Sequence, residues 1–315
     1  MLGLIGRRLV FSAVALILAS VLIFAVTDWL PPDLVDRILG QQATPENVAT
    51  VRAELRLDQP PYQRYLAWVQ NGIRGDFGHS LRNGRAVADV IGPRLWNTLF
   101  LVLSAAVAAI PLAVVLGVLA AIGRNGVFDK LMGIITVAAV SMPEFLIGYL
   151  LMLYLAVQFR WFPVIVTYKP EQTMAEHLHV MFLPILTLLV VVLAHMVRAI
   201  RSAVAPIMTS PYLEMATLKG LSTRRIVTHH VLPNAWPPII NIAAVHVGYL
   251  VVGVVVVEAA FTYNGLGRLM VDAVSRRDVP VVQASGLVFA IIFIGLNLVA
   301  DVLSILGNPR LRHPR

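Results

Sequence analysis

Long runs of apolar residues are the feature that most constrains the fold of this chain. The first extends from Leu9 to about Val26. Five more follow, at about 98–123, 131–157, 180–200, 237–258 and 282–306. Each is close to the ~20 residues that a helix needs to cross a bilayer, where backbone groups find no water. The sequence therefore predicts an all-α integral membrane protein with six transmembrane helices.

The composition supports this class of protein. Of the 315 residues, 58% are hydrophobic and 13% are charged, against roughly 25% charged residues in soluble domains. The net charge of +8 is explained by basic residues at cytoplasmic helix ends, so we expect a lipid bilayer and no nucleic acid as partner. The absence of cysteine excludes disulfides and thiolate metal sites.

The apolar runs also divide the chain. Residues 1–28 form a predicted first transmembrane helix: the run after Arg7 and Arg8 resembles a signal peptide, but it is long for one and Asp28–Pro32 is a poor cleavage site. Residues 29–97 form a predicted extracytoplasmic module. Residues 98–306 form a five-helix core with a cytoplasmic loop at 203–236, and residues 307–315 are a cytoplasmic tail.

The 29–97 module holds two candidate helices and several turns. Thr44-Pro45-Glu46 can open one helix. A second amphipathic segment would carry Tyr62, Tyr65, Leu66 and Trp68. Turns are expected at Gly72, Gly75, Gly78 and Gly84.

Basic residues in the short connections set the orientation. Twelve would lie on the side of the termini: Arg7, Arg8, Arg124, Lys130, Arg198, Arg201, Lys219, Arg224, Arg225, Arg310, Arg312 and Arg315. Five would lie on the other side: Arg160, Lys169, Arg268, Arg276 and Arg277. This excess predicts that both termini are cytoplasmic.

Residues 210–235, which we call the elbow, are the one sizeable polar segment between the later runs. Ser210 can cap a helix that begins at Pro211, and Gly220 occupies the left-handed C′ position with Leu221 as its apolar neighbour. Tyr212, Met215 and Ala216 should share one face, with Glu214 and Lys219 off it. Ser222 can cap a second short helix that stops before Pro233.

Several polar residues fall at membrane depth or near it. Glu144 follows Pro143 in the third run, where an ionised carboxylate costs several kcal/mol. It either faces a water-filled path or pairs with a neighbouring helix beside the proline break. His195 and His246 are lone histidines, for which packing is favoured over metal binding. The candidate pathway or gating residues are Glu144, Glu258, Asn297 and Asp301, although the last two are better explained as contacts between helices.

The motifs of nucleotide binding and hydrolysis are absent. The chain contains no G-x-x-x-x-G-K-[ST], H-E-x-x-H, G-x-S-x-G or S-x-x-K sequence. We therefore expect no catalytic residues, and no cofactor on this chain.

The elbow resembles the cytoplasmic loop of ABC importer permeases, whose pattern is E-A-A, three residues, G, nine residues, I-x-L-P. Glu214, Ala216, Gly220, Leu232 and Pro233 match, whereas Met215 replaces an alanine and His230 the isoleucine. The peptide-transporter branch has a histidine at this place, as in His230-Val231-Leu232-Pro233-Asn234. The resemblance implies that the residues coupled to the ATPase are Tyr212, Glu214, Ala216, Lys219, Gly220, Leu221, Ser222, His230 and Asn234.

The resemblance extends over nearly the whole chain. Segments similar to the first permease of dipeptide, oligopeptide and nickel importers are 57–81, SMPEFLIG, WFP, LPILTL, RAIRS, 258–283, NLVAD and NPRLR. Glu144 departs from the small or hydroxyl residue expected in SMPEFLIG. The fold implied is that of a type I ABC importer permease (MetI-like), with an extracytoplasmic insertion after the first helix.

The resemblance also implies partners and a function. The chain would be a non-enzymatic permease subunit in a bacterial cell membrane, importing di- or oligopeptides. It would pair with a homologous second permease, with two ABC ATPase subunits or one fused ATPase that bind ATP and magnesium, and with an extracytoplasmic binding protein. An ion-coupled secondary transporter that uses Glu144 is the alternative. A membrane-embedded enzyme is disfavoured by the missing catalytic residues.

Overall fold

The computed structural model describes residues 2–28, 58–166 and 173–307. Over these residues the regular structure is helical, apart from one bridge between His79 and Ala86. The helices are α1 (Leu2–Asp28), α2 (Pro61–Ile73), α3 (Val87–Ile122), α4 (Val127–Ser141), α5 (Glu144–Leu151), α6 (Met174–Met208), α7 (Pro211–Leu218), α8 (Thr223–Ile226), α9 (Leu232–Ala260), α10 (Leu266–Ser275) and α11 (Val279–Gly307). Two π-helical segments, Met152–Gln158 and Val227–Val231, continue α5 and join α8 to α9.

The predicted spans are found, with one of them broken. Within the described ranges, five helical segments are long and apolar enough to cross a membrane, and α4 with α5 makes a sixth if that bent pair is one span. The two parts meet at an angle of 104°. Met142 has φ −94° and ψ 134°, the extended conformation that a residue before proline prefers. Pro143 therefore breaks the third predicted span beside Glu144.

Two predicted helix boundaries differ from the structure. The helix α3, which contains the second predicted span, begins at Val87 rather than near residue 98. The short helix after Ser222 does not stop before Pro233, because the chain continues through the π-helical segment Val227–Val231 into α9. Proline lacks an N–H and crowds the carbonyl four residues earlier. The wider π turn directly before Pro233 accommodates both effects, so the helix is not ended.

The structure divides the chain into two compact units. The first unit comprises residues 1–10, 99–263 and 295–315, and the second comprises residues 11–98 and 264–294. The predicted limits of the 29–97 module stay a prediction. Its candidate helix at Thr44-Pro45-Glu46 lies outside the described residues.

The second unit confirms the amphipathic helix and three of the four predicted turns in this region, whereas the turn predicted at Gly72 is wrong. The amphipathic segment is α2, whose Tyr65 and Trp68 pack against Phe24 with ring centroids 5.5 Å and 6.0 Å apart. Gly75, Gly78 and Gly84 have φ between 65° and 80° and form turns, whereas Gly72 lies inside α2. The buried core of this unit consists of Val87, Ile91, Leu266, Leu269, Ala273, Val281 and Ala284.

A buried aspartate fixes the turns of the second unit. Asp278 precedes α11 and is 6% exposed. Its carboxylate accepts hydrogen bonds from the Ser80 hydroxyl and from the Leu81 N–H, the latter at 3.2 Å. A carboxylate that accepts two such bonds anchors the glycine-rich segment after α2 to the start of α11.

The first unit is built around α6. This helix packs against α4, α5 and α9, and its buried side chains include Met181, Leu188 and Ile200. Small residues let neighbouring helices approach closely. A Cβ on Gly117 of α3 would lie 2.8 Å from Ile200 Cγ2 and 3.1 Å from the Val197 carbonyl oxygen.

An ion pair in the first unit joins the first helix to the last one. Arg8 Nη1, near the start of α1, lies 2.8 Å from Asp301 Oδ2, near the end of α11. Both side chains are partly exposed, so the pair contributes at most about 1 kcal/mol. Its position nevertheless puts the first turns of α1 beside the last turns of α11, as six spans require.

The contact at Gly117 gives a test of this packing. Gly117→Ala should destabilise the protein by about 1–3 kcal/mol, because the added methyl group overlaps Ile200 and the backbone of α6. The matched control is Gly92→Ala in the same helix, where a Cβ meets no atom within 4 Å. We expect a lower melting temperature in detergent for Gly117→Ala alone. Equal melting temperatures for the two variants would contradict the close packing.

Candidate coupling elbow and membrane path

The elbow is a helix–glycine–helix structure, as predicted. The helix α7 ends at Leu218, and Gly220 follows with φ +78°. Gly220 N–H donates to the Thr217 carbonyl at 2.9 Å, and Leu221 N–H donates to the Ala216 carbonyl at 3.2 Å. These two bonds form a Schellman motif, which requires a left-handed residue at the position of Gly220. The direction in which the chain leaves α7 is therefore fixed by the backbone.

The two predicted serine caps are right in position but not in bonding. Ser210 and Ser222 directly precede α7 and α8 in extended conformations, as N-cap residues do. Neither side chain accepts a hydrogen bond from its own helix. The Ser210 hydroxyl instead donates to the Ile207 carbonyl at the end of α6. This bond ties the elbow to the helix before it.

The two sides of α7 differ in exposure. Leu213 and Ala216 are buried, whereas Tyr212, Met215 and Leu218 are 47%, 54% and 76% exposed. The prediction that Tyr212, Met215 and Ala216 share one face is therefore wrong for Ala216, which is buried while the other two are exposed. We call Tyr212, Met215 and Leu218 the outer face. An apolar surface on a short helix next to the spans is typical of an interaction site.

The outer face is attached to the start of α9. Asn234 Nδ2 donates to the Tyr212 hydroxyl at 3.3 Å and to the His230 carbonyl at 2.7 Å. Within the elbow, α7 and the first turn of α9 are therefore connected by a side chain on each. His230 and Leu221 are half-buried, and the remaining predicted coupling residues, Glu214, Lys219 and Ser222, are exposed.

An ion pair between α6 and α4 was not predicted from the sequence. Arg201 of α6 binds the carboxylate of Asp129, at the start of α4, through Nε and through Nη2, the latter at 2.7 Å. Asp129 is 6% exposed and also accepts the Asn125 N–H at 2.9 Å. Such a two-point pair orients both groups. The two residues are 72 positions apart in the sequence. The signals in the sequence that could have indicated this pair are the length of α6 and an acidic residue, Asp129, next to a span.

The four candidate pathway residues lie in different environments. Glu258 is fully buried near the corner where Tyr263 N–H donates to the Glu258 carbonyl. Asp301 pairs with Arg8, and Asn297 is half-buried on α11. Glu144 is the first residue of α5 and is half-buried, with its carboxylate against Gly253 of α9. The structure therefore places the Glu144 carboxylate against Gly253 of α9, the helix that also carries Glu258.

The two lone histidines are neighbours in space. The rings of His195 on α6 and His246 on α9 have centroids 6.2 Å apart, and Tyr249 lies 5.8 Å from His246. His246 Nδ1 is also hydrogen-bonded to the Ile242 carbonyl at 2.8 Å. Among the described residues, no group of three His, Asp or Glu side chains could hold a metal ion. The pair is a polar contact between two apolar helices.

Comparisons with known proteins agree along the whole chain. Residues 113–313 match the family described as "Binding-protein-dependent transport system inner membrane component", and residues 1–115 match its N-terminal component. The chain is 36% identical to the "Glutathione transport system permease protein GsiC" of Escherichia coli (strain K12), covering 99% of this chain and 100% of that one. The same protein of Shigella flexneri serotype 5b is also 36% identical over the same shares.

A solved structure of a methionine ABC transporter shares the fold. This structure, "Inward facing conformations of the MetNI methionine ABC transporter: CY5 native crystal form", matches with a TM-score of 0.56 and 16% identity. The likeness covers 70% of this chain and 96% of that one, and it supports the predicted MetI-like permease fold. Nothing in these comparisons supports an ion-coupled transporter. The chain belongs to the family of inner-membrane components of binding-protein-dependent transport systems, as a non-catalytic permease subunit of an ABC importer.

Proposed function

We propose that this permease carries small peptides and that the elbow is the part of it that the ATPase moves. The main support for the solute class is the full-length similarity to permeases named for glutathione, which is itself a short peptide. The peptide-type signature around His230 and Asn234 points in the same direction. The solute itself would be selected first by the binding protein and then admitted by the two permeases.

The proposed partners are supported by the family of this chain and by its lack of a phosphate-binding motif. It contains no phosphate-binding motif, so ATP and its magnesium ion would be bound by two ABC ATPase subunits or one fused ATPase. A homologous second permease would complete the path, and an extracytoplasmic binding protein would deliver the solute. The chain itself holds no cofactor in this proposal.

The elbow has the properties that a moving contact needs. Its outer face is apolar and exposed, and the Schellman motif makes its corner rigid. Asn234 connects this face to α9, a span. An ATPase that binds the outer face differently in its open and closed forms would shift the spans between two arrangements.

The proposed orientation puts the elbow and both termini in the cytoplasm. In this orientation twelve basic residues of the short connections would lie in the cytoplasm and five on the other side, as the positive-inside rule expects. The ion pair between Arg8 and Asp301 supports termini on one side. The membrane would be the inner membrane of a bacterium.

The solute class is tested by transport. We would reconstitute the complete transporter in proteoliposomes, with its binding protein outside, and measure uptake of glutathione, dipeptides and longer peptides with and without ATP inside. ATP-dependent uptake of at least one peptide is expected. Uptake that needs a proton gradient but no ATP, or transport of none of these peptides by an active complex, would refute the proposal.

Gly220 tests the rigid corner. Gly220→Val should cost about 1–2 kcal/mol locally, because a β-branched residue is forced into the left-handed region. Space is not limiting, since a Cβ there meets no atom within 4 Å. Gly220→Asn is the matched control, since asparagine tolerates this conformation. We expect Gly220→Val to lose most transport-coupled ATP hydrolysis and Gly220→Asn to retain most of it; normal coupling in both would mean that the corner is only a connector.

The outer face is tested by adding one charge. Met215→Glu should weaken the association with the ATPase, because a carboxylate would be buried in an apolar contact. Thr217→Glu is the control on the same helix: Thr217 is exposed but lies outside the outer face. Copurification of the ATPase with the tagged permease is the measurement. We expect a severalfold loss for Met215→Glu alone, and equal losses for both variants would argue against a specific docking face.

A further inference from the structure

Glu144 occupies an unusual position for a carboxylate. It lies at the 104° break between α4 and α5, between two stretches that are apolar enough to be part of a span. Its side chain reaches α9 at Gly253, where a Cβ would collide with it. That Cβ would lie 2.6 Å from Glu144 Oε2 and 2.9 Å from Oε1. The missing side chain of Gly253 therefore makes the room that the carboxylate occupies.

Within the described ranges, no cation of the protein pairs with this carboxylate. Arg8, Arg201 and Arg268 have other carboxylates as partners, namely Asp301, Asp129 and Asp272. In the described part of the chain, no ion pair and no hydrogen bond to the Glu144 carboxylate is found. A carboxylate at membrane depth is costly unless it meets water or a positive charge. Glu144 is only half-buried, so part of its carboxylate is accessible to a ligand.

The surrounding face of α9 is polar as well. Tyr249 and His246 precede Gly253 by one and two helical turns, so the three positions share one face. Tyr249 is 60% exposed, and His195 of α6 contacts His246 from the side. Inside a span, ionisable and hydrogen-bonding side chains on one face mark the route of a polar solute. His246, Tyr249 and Gly253, with Glu144 against them, have this arrangement on one face of α9.

We propose that Glu144 is a solute-binding residue of this permease that recognises a protonated amine. A carboxylate without a partner is completed by a cationic nitrogen, which donates charge-assisted hydrogen bonds to it. A peptide carries such a nitrogen at its amino terminus. This inference rests on the proposed function, because it names the group of the peptide that the membrane path contacts.

The first experiment compares two solutes that differ in this charge. The complete transporter is given binding protein loaded with the best-transported peptide or with its N-acetyl derivative, and initial ATP-dependent uptake is measured. For each solute the rate of a variant is divided by the native rate, so that the preference of the binding protein cancels. Glu144→Gln should lower this ratio on the order of tenfold for the free amine, as expected for one hydrogen bond to a charged group. The ratio for the acetylated peptide should stay near one.

Glycine variants supply the control. Gly253→Ala should reduce amine uptake in the same direction, because its methyl group displaces the flexible carboxylate end. Gly133→Ala, in α4, adds the same methyl group at a position where a Cβ meets no atom within 4 Å. This variant should not change the uptake of either solute. Equal ratios for both solutes in Glu144→Gln and Gly253→Ala would overturn the inference. A native complex that carries no peptide would instead refute the proposed function.

A chemical probe gives a readout that does not depend on transport. The chain has no cysteine, so Glu144→Cys introduces a unique thiol into this subunit. We expect a water-soluble thiosulfonate reagent to label this chain in the assembled complex, and loaded binding protein with ATP to slow the labelling at least severalfold. A thiol that does not react, or that reacts at the same rate with and without peptide, would show that Glu144 lies off the route.

Discussion

The need to satisfy backbone hydrogen bonds inside a bilayer shapes the membrane-spanning helices of this structure. Lipid offers no partner to a free N–H or C=O, so the spans are helices and irregular backbone is confined to a few places. In the first unit these places are the break at Met142 and Pro143, the π-helical segment Met152–Gln158, and the π turn before α9. Two of them coincide with features that the proposals use: the break presents Glu144, and the π turn joins the elbow to a span. Departures from the regular helix are costly in lipid, so their positions are informative.

Most of the architecture could be predicted from the sequence, because apolar length and helix-stop signals are local properties. The spans, the glycine at the elbow corner and the amphipathic α2 follow from residues close together in the chain. The prediction was wrong at Pro233, where a wider turn absorbs the proline, and at the start of α3, where the helix extends beyond its apolar run. The known effect of proline gives its energetic cost inside a regular α-helix, but it does not show that a π turn before the proline avoids this cost.

Pairings between distant residues could not be predicted in the same way. The sequence indicates Arg201 only as a positive charge near a helix end, although it binds Asp129 across 72 residues. Glu144 was recognised as unusual, yet its neighbour at Gly253 follows only from the way α5 packs on α9. The same holds for His195 and His246, which are separate in the chain and adjacent in space. Such contacts depend on the relative rotation of helices, and an apolar helix of nearly uniform composition gives little indication of which face turns inward.

The helix α9 is the element shared by both proposals. Its first turn holds Asn234, which binds Tyr212 of the outer face, and its middle holds Gly253, against which Glu144 lies. The helix is continuous from Leu232 to Ala260, with Pro237 and Pro238 inside it between these two positions. A displacement of its first turn can therefore reach Gly253 along one helix. Because Gly253 provides the space that the carboxylate occupies, a small shift of α9 changes the position of Glu144. If ATPase closure shifts α9 and thereby changes the affinity for the solute amine, solute binding must change the closure equilibrium to the same extent, since coupling between two sites acts equally in both directions. The same helix would then transmit ATP-driven closure to the solute and solute binding to the ATPase.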